Sequence, residues 1–485
     1  MSSEKSHISN STTEAPQHIG VPTQSSAERV ELEITGLVQG GRGLARRGGL
    51  VWFVTGGLPG DRLQAEPISR RPSYVEARAL RIERPGPHRR DPACPVQDRC
   101  GGCPWMALED DQQRHWKRRL VCEALERIAG LDSPEVEPVR RISATLGYRN
   151  KVEFGLGRGV VGLVHRDAAR GLVDVHACAV QHPDANAVLA TARAFLLSGG
   201  SGALAGGPTR DLRLVIRHSR ADGKILVLLR EATRSFPRAR ELAAHLVDRH
   251  PEVSGVVRLK SQSGRRGGAR IEPLAGRPWV REIVAGVEFR LPAATFFQVN
   301  AEGASALVEI VAECAGELSG RTLIDLYGGV GAYAFELLRR GAGRAVVCDA
   351  DPAAIACGRE AARRARINGI EHRNEAVGRF LSNPSSRSAS VDLIVANPPR
   401  DGLGPEVCRR LLGVPTRRLV VVSCNPATLS RDLRVLTGGG YRIDRVVPVD
   451  LFPQTAHVEA VVALRAAGRP RPRRAGSPRP ACGSG

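Results

Sequence analysis

Three groups of residues in this 485-residue chain have types and spacings that could do chemistry. The first centres on Cys424, which ends the apolar run Leu419–Ser423 and opens the polar stretch Asn425–Asp432. A thiol there is either a small core residue or, as a thiolate facing a crevice, a nucleophile. Glu459 stands just before a second apolar run, Ala460–Leu464. A carboxyl so placed is expected to be partly buried, with a raised pKa, and is a candidate general base; His457 is its neighbour and rival.

The second group is Cys94, Cys100 and Cys103, spaced C-x5-C-x2-C, with Cys178 as a remote fourth thiol. Four thiolates suit zinc or an iron–sulfur cluster. Three close cysteines and one distant one resemble cluster ligation more than the paired C-x2-C of a zinc ribbon. Gly101 and Gly102 let the chain wrap tightly, and Cys122 falls in a helical stretch and reads as core.

The third group is the run Leu323–Leu338, a strand, a glycine loop and a helix. Gly329 and Gly331 permit a sharp turn and close approach to a ligand. Asp325 ends the first strand, and Asp349, at the end of the next, is placed to accept both hydroxyls of a ribose. The full G-x-G-x-x-G spacing is missing, so the pattern fits S-adenosylmethionine (SAM) better than a dinucleotide. Asn397, in the segment Asp392–Leu403, occupies a strand end facing the same crevice, and Pro398 and Pro399 stiffen the backbone after it. An aromatic after N-P-P marks amine methylation; here Arg400 follows, which argues for another target atom.

These residues need elements to hold them. From about Ala301, helical stretches alternate with buried strand-like runs, the mark of a parallel, doubly wound sheet. Residues 146–290 mix strands with a helix near Arg238–Arg249 and read as α+β, and a helix is expected over Leu108–Ala129. Short strands between Val30 and Pro87, punctuated by Gly40-Gly41 and Leu58–Asp61, suggest a small OB-like barrel, a fold that often binds single-stranded nucleic acid. The resulting boundaries are a disordered tail at 1–28, a barrel at 29–88, a central cysteine-bearing α+β region at 89–295, a Rossmann-like α/β region at 296–466 and a basic disordered tail at 467–485. No apolar run reaches membrane-spanning length and the start lacks a secretory pattern, so a cytoplasmic location is expected, with reduced cysteines. Lys and Arg number 71 against 50 Asp and Glu, a net charge of +21 that points to a polyanion, most often nucleic acid; an arginine-rich composition of genomic origin is the bland alternative.

Taken together, Cys94–Cys103, Phe296–Asn300, Asp325–Gly331, Asn397–Leu403, Ser423–Asp432 and Asp450–Ala460 resemble, in order, the motifs of the RNA uracil-C5 (5-methyluridine) methyltransferases. The likeness spans roughly residues 30–465, and the amino-terminal barrel resembles the TRAM domain of the branch that modifies 23S ribosomal RNA. The resemblance implies a [4Fe-4S] cluster on Cys94, Cys100, Cys103 and Cys178, zinc being the alternative. It implies SAM contacts from Gln298, Tyr327, Asp349 and Asn397, and from the backbone at Ala332. It also implies a Cys424 nucleophile, a Glu459 base and RNA as the partner, with no membrane or obligate protein partner. Departures from the family pattern are Asn397 where an Asp is usual, Gly328 where a Cys is usual and Ala332 where a polar residue is common. Transfer RNA as target, or a nonenzymatic RNA-binding protein with a degraded SAM site, are the alternatives.

Overall fold

The computed structural model describes residues 29–198, 211–236, 238–261, 269–383 and 391–467. The expected tails at 1–28 and 467–485 lie outside the described residues, apart from Ala467. Among the described residues, three large sheets and one two-stranded hairpin carry the fold.

In the first, Val30–Glu33 and Gly36–Leu37 stand at opposite edges of six strands, yet only Ile34 and Thr35 separate them in sequence. The sheet must therefore curl until its edges meet. Alternate residues point inward, so that Val30, Leu32, Trp52, Val54, Leu63 and Val75 fill one interior. The Leu58–Asp61 turn has a further task. Asp61 is fully buried, accepts the N–H groups of Leu58 (2.7 Å) and Gly86 (2.9 Å), and takes both arms of the Arg89 guanidinium at 2.9 and 2.6 Å. That paired, charge-assisted contact locks the six-stranded sheet to the cysteine-bearing segment.

The second sheet has seven strands between Lys151 and Gly276. Its apolar face packs under the helices Pro183–Ser198 and Ala239–Arg249, whose Val188, Leu189, Leu242 and Leu246 are wholly buried.

The third sheet has eight strands. From one edge they run Ile370–Asn374, Arg344–Asp349, Thr322–Leu326, Val391–Ala396, Thr416–Ser423, Glu459–Ala466, Tyr441–Asp450 and Arg140–Arg141. The first five are parallel, and Glu459–Ala466 runs antiparallel to both its neighbours. Strand order reverses beside Thr322–Leu326, which pairs with Arg344–Asp349 on one side and Val391–Ala396 on the other. Ligands of open α/β sheets bind at such a point, outside the carboxyl ends of the strands.

The packing divides the stretch that sequence patterning groups as 89–295. Helix Asp110–Ala124, continued by the π-turn Leu125–Ala129, places Val121, Leu125 and Ala129 in the core of the third sheet, and Arg140–Arg141 adds its last strand. The hairpin Trp279–Val284 and Val287–Pro292 joins that sheet's other face, with Phe289 edge-on to Phe335 at 5.6 Å. An amphipathic pattern reveals that a helix has an apolar face, but not which sheet the face covers.

Candidate active site

The glycine loop leaves the strand Thr322–Leu326 at its carboxyl end. Tyr327 (φ 55°), Gly329 (φ 56°) and Gly331 (φ 90°) are all left-handed, so a bulky residue shares a strained turn with two glycines. A Cβ at Gly328 would lie 2.8 Å from Asp325 Cγ and Val347 Cγ1, which explains why this turn carries no side chain there. At Gly329 a Cβ would meet nothing within 4 Å; this is the open side of the loop. The Gly329 N–H donates to Asp349 Oδ2 at 2.8 Å, and the Asp351 N–H to Asp349 Oδ1 at 2.8 Å, so the acid is fixed against the loop. Asp325 is fully buried. Its Oδ2 accepts the Ala334 N–H at 3.3 Å, while its Oδ1 has no partner, and burial pushes its pKa up to about 7. An orphaned acceptor, an open glycine and a ribose-type acid in one crevice fit a nucleoside-bearing methyl donor.

Asn397 follows the strand Val391–Ala396, where its amide Nδ2 donates to the Tyr333 hydroxyl at 3.2 Å. One strand further along, Cys424 follows Thr416–Ser423 and is half-buried. Burial raises the Cys424 pKa; the adjacent Glu459 raises it further, and Arg400, close enough to hydrogen-bond the sulfur, lowers it. Glu459, 4% exposed, begins the antiparallel strand beside Cys424. Burial pushes its carboxyl up to about 8, against the pull of Arg400. Thiol, carboxyl and guanidinium therefore lie close enough to act on one another's charge. His457 stands exposed at the mouth, edge-on to Phe452 at 6.0 Å.

The polar stretch after Cys424 serves to hold Arg400. Asn425 Nδ2 and Thr428 Oγ1 both donate to the Arg400 carbonyl, at 3.2 and 3.0 Å. Asp432 accepts the N–H groups of Leu403 (2.7 Å) and Gly404 (3.2 Å), and Arg431 donates to the Asp401 carbonyl at 2.6 Å and to Asp432 at 2.9 Å. Arg431 and Asp432 form an ion pair, and the Arg400 guanidinium acts on the thiol.

Gln454 is a residue that patterning misses. It is 1% exposed, in a left-handed conformation (φ 70°), and bonds the cysteine-bearing segment at several points. Gln113 donates to its side-chain oxygen at 2.9 Å and accepts its N–H at 2.8 Å, Arg90 reaches it at 3.2 Å, and the Trp105 N–H donates to its carbonyl at 3.1 Å. Lys117, wholly buried, bonds Asp450 and the Phe452 carbonyl from the same side. The loop ahead of Glu459 is thus braced by the region that follows the cysteines. From the six-stranded sheet, Gln39 reaches Asn425 Oδ1 at 2.7 Å. The Gln298 loop is anchored through Asn150, whose N–H groups donate to the Val299 and Gln298 carbonyls at 2.8 and 3.3 Å, and Phe296 beside it is 73% exposed.

Cys94, Cys100, Cys103 and Cys178 converge on one cavity of about 610 Å³, which Arg149, Lys151 and Arg166 also line. All four are free thiols. Burial pushes Cys103 up to about 12, with Cys178, Cys100 and Cys94 each adding to the rise. Four thiols that oppose one another's ionisation are a donor set for a multivalent cation centre, and the two guanidiniums suit the negative charge of a tetrathiolate.

The family described as tRNA (Uracil-5-)-methyltransferase matches residues 380–467, the part that holds Asn397, Arg400, Cys424 and Glu459. A family of conserved hypothetical proteins matches residues 305–413. An uncharacterized RNA methyltransferase of Gloeobacter violaceus is 35% identical over 467 residues, covering 92% of this chain and 99% of that protein. One from Synechocystis is 33% identical over 456 residues, covering 92% and 97%. Among solved structures, a Pyrococcus abyssi tRNA (uracil-54, C5)-methyltransferase in complex with S-adenosyl-L-homocysteine is similar with TM-score 0.67 and 25% identity, covering 89% of this chain and all of that one. With the switch-point crevice and near full-length relatives agreeing, this chain belongs to the SAM-dependent RNA uracil-5-methyltransferase family.

Proposed function

We propose that this protein methylates C5 of a uridine in 23S ribosomal RNA through a covalent bond between Cys424 and C6 of the base. The observation that carries the reading is the meeting of Cys424, Arg400 and Glu459 beside the glycine loop. C5 of uracil is a poor nucleophile. Addition of the Cys424 thiolate to C6 turns the ring into an enolate with carbanion character at C5. Arg400 favours the thiolate over the thiol. Gln298, Tyr327, Gly329, Gly331, Asp349 and Asn397 would hold SAM, which would supply the methyl group to C5 and leave as S-adenosyl-L-homocysteine. Ionised Glu459 then takes the C5 proton, and the electron pair expels Cys424 by β-elimination, restoring the ring. The nearness of donor crevice, thiol and carboxyl favours an enzyme over a nonenzymatic RNA binder.

The cysteine cavity is read as the seat of a [4Fe-4S] cluster on Cys94, Cys100, Cys103 and Cys178. The reaction involves no redox step, so the role of these cysteines is to hold the segment that braces Gln454 and the loop leading to Glu459. The curled six-stranded sheet is read as a TRAM, OB-like barrel, which with the exposed Phe296 offers RNA a second surface and a stacking platform. The domain reading stays as barrel, central region and methyltransferase region, with 110–142 and the 279–292 hairpin serving the last.

A second reading, uracil-C5 methylation of transfer RNA, is favoured by the Pyrococcus likeness. Its 89% coverage exceeds what residues 89–467 alone supply, so a barrel does not separate the two targets. Mapping 5-methyluridine in ribosomal and transfer RNA from a strain lacking this gene decides between them. Loss of one 23S site is expected, whereas loss confined to transfer RNA selects the second reading.

A further inference from the structure

The Asn397 amide has a donor end and an acceptor end, and something must decide which faces the crevice. Its Nδ2 donates to the Tyr333 hydroxyl at 3.2 Å. Tyr333 sits one residue into the helix that follows the glycine loop and is 7% exposed. Burial raises its phenol pKa, with Glu459 and then Asp325 adding to the rise, so the hydroxyl lies within reach of both acids' fields. The phenol oxygen is the acceptor in that contact, so its own hydrogen points away from Asn397. The lone pair that remains accepts from Asn397, and the amide oxygen is turned away from Tyr333.

We propose that Tyr333 is a positioning residue: its hydroxyl holds the Asn397 amide with the oxygen presented to the methyl-donor crevice, as an acceptor for an N–H or ammonium group of SAM. The inference rests on the reading of this crevice as the donor site. It accounts for how an uncharged Asn397 serves there. An amide works as an acceptor only in one of its two orientations, and Tyr333 selects that one. A carboxylate presents an oxygen at either end and needs no such selection.

The test is S-adenosyl-L-homocysteine binding, by isothermal titration without RNA, to wild type, Y333F, N397D and the double variant Y333F/N397D. Phe keeps the buried ring and removes only the hydroxyl. Y333F is expected to bind about three- to tenfold more weakly, the usual worth of one hydrogen bond. Y333F/N397D is expected to return to within about twofold of N397D alone, because the carboxylate is indifferent to the lost hydroxyl. With substrate, Y333F raises KM for SAM, while the rate of Cys424 adduct formation at saturating SAM stays near wild type. Unchanged affinity in Y333F overturns the proposal. So does a loss of equal size in the N397D background, which would mark a packing defect. Failure of wild type to bond RNA at Cys424 would instead sink the C5 mechanism and leave these binding ratios standing.

Discussion

Two cysteine sites in this molecule start from the same physics and end in different chemistry. At Cys100, Cys103 and Cys178 in the cavity, and at Cys424 in the crevice, burial is the largest influence on the thiol and raises its pKa. What differs is the company. Around Cys103 the thiols Cys178, Cys100 and Cys94 each make a further ionisation harder, with Arg149 alone opposing them, so the four become thiolates together only with a multivalent cation centre among them. Around Cys424 the next influences are one carboxyl and one guanidinium with opposed effects, and a single proton decides the state. Burial alone therefore does not separate a structural thiol from a nucleophile; the neighbours do.

The largest break in this comparison is C424A. Turnover is expected to fall by about a thousandfold or more, with S-adenosyl-L-homocysteine binding unchanged, because the nucleophile is lost and the donor crevice is not. E459Q comes next. It leaves the thiol free to add but removes the group that takes the C5 proton, so methylated RNA is expected to stay bonded to Cys424, visible as an adduct on a denaturing gel. The same variant reports stability. The folded-state carboxyl is raised from its ordinary range to about 8, so its contribution is full below the unfolded pKa and is lost as pH rises through about 8. The excess of E459Q melting temperature over wild type should therefore grow from pH 5 to 8 and then level. Removal of one cluster ligand, C103S, is expected to abolish iron binding and lower the melting temperature by about 5 °C or more. Full retention of both would refute the cluster reading.

Smaller shifts sharpen the single-proton side. R400M removes the charge that favours the Cys424 thiolate, so adduct formation at pH 7 should slow about tenfold and recover as pH rises, whereas R400K should retain most of the rate. Wild-type turnover should itself rise with pH through about 8, because Glu459 acts only when ionised. A rate that is flat from pH 6 to 9 would remove Glu459 as the base.

The doubly wound region was legible because its strands are continuous apolar runs and its glycine loop stands at a strand end. Ile370–Asn374 was not, since an edge strand reading Ile-Glu-His-Arg-Asn has too few apolar residues to show a pattern. Helix Ala301–Ala315 and the helix near Arg238–Arg249 fall where periodicity puts them. The grouping of 110–142 with the central region failed because packing partners lie hundreds of residues away, as Lys117 does from Asp450. Cys424 and Glu459 were singled out through motif order. Arg400 was read only as an argument for another target atom, because nothing local says that Asn425 and Thr428 grip its carbonyl beside the thiol. Tyr333 carried a fainter signal, a phenol among otherwise apolar helix positions in a chain with only 5 tyrosines, which asks for a buried partner.

The central claim, that Cys424 and not any cavity cysteine bonds the base, is tested most directly with RNA carrying 5-fluorouridine. Fluorine at C5 cannot leave as a proton, so the methylated base stays attached to the protein. After incubation with SAM and nuclease digestion, peptide mass spectrometry is expected to find the methylated nucleotide on the peptide containing Cys424 and to find none in C424A. Absence of any adduct in wild type, or its appearance on Cys94, Cys100, Cys103 or Cys178, would contradict the account.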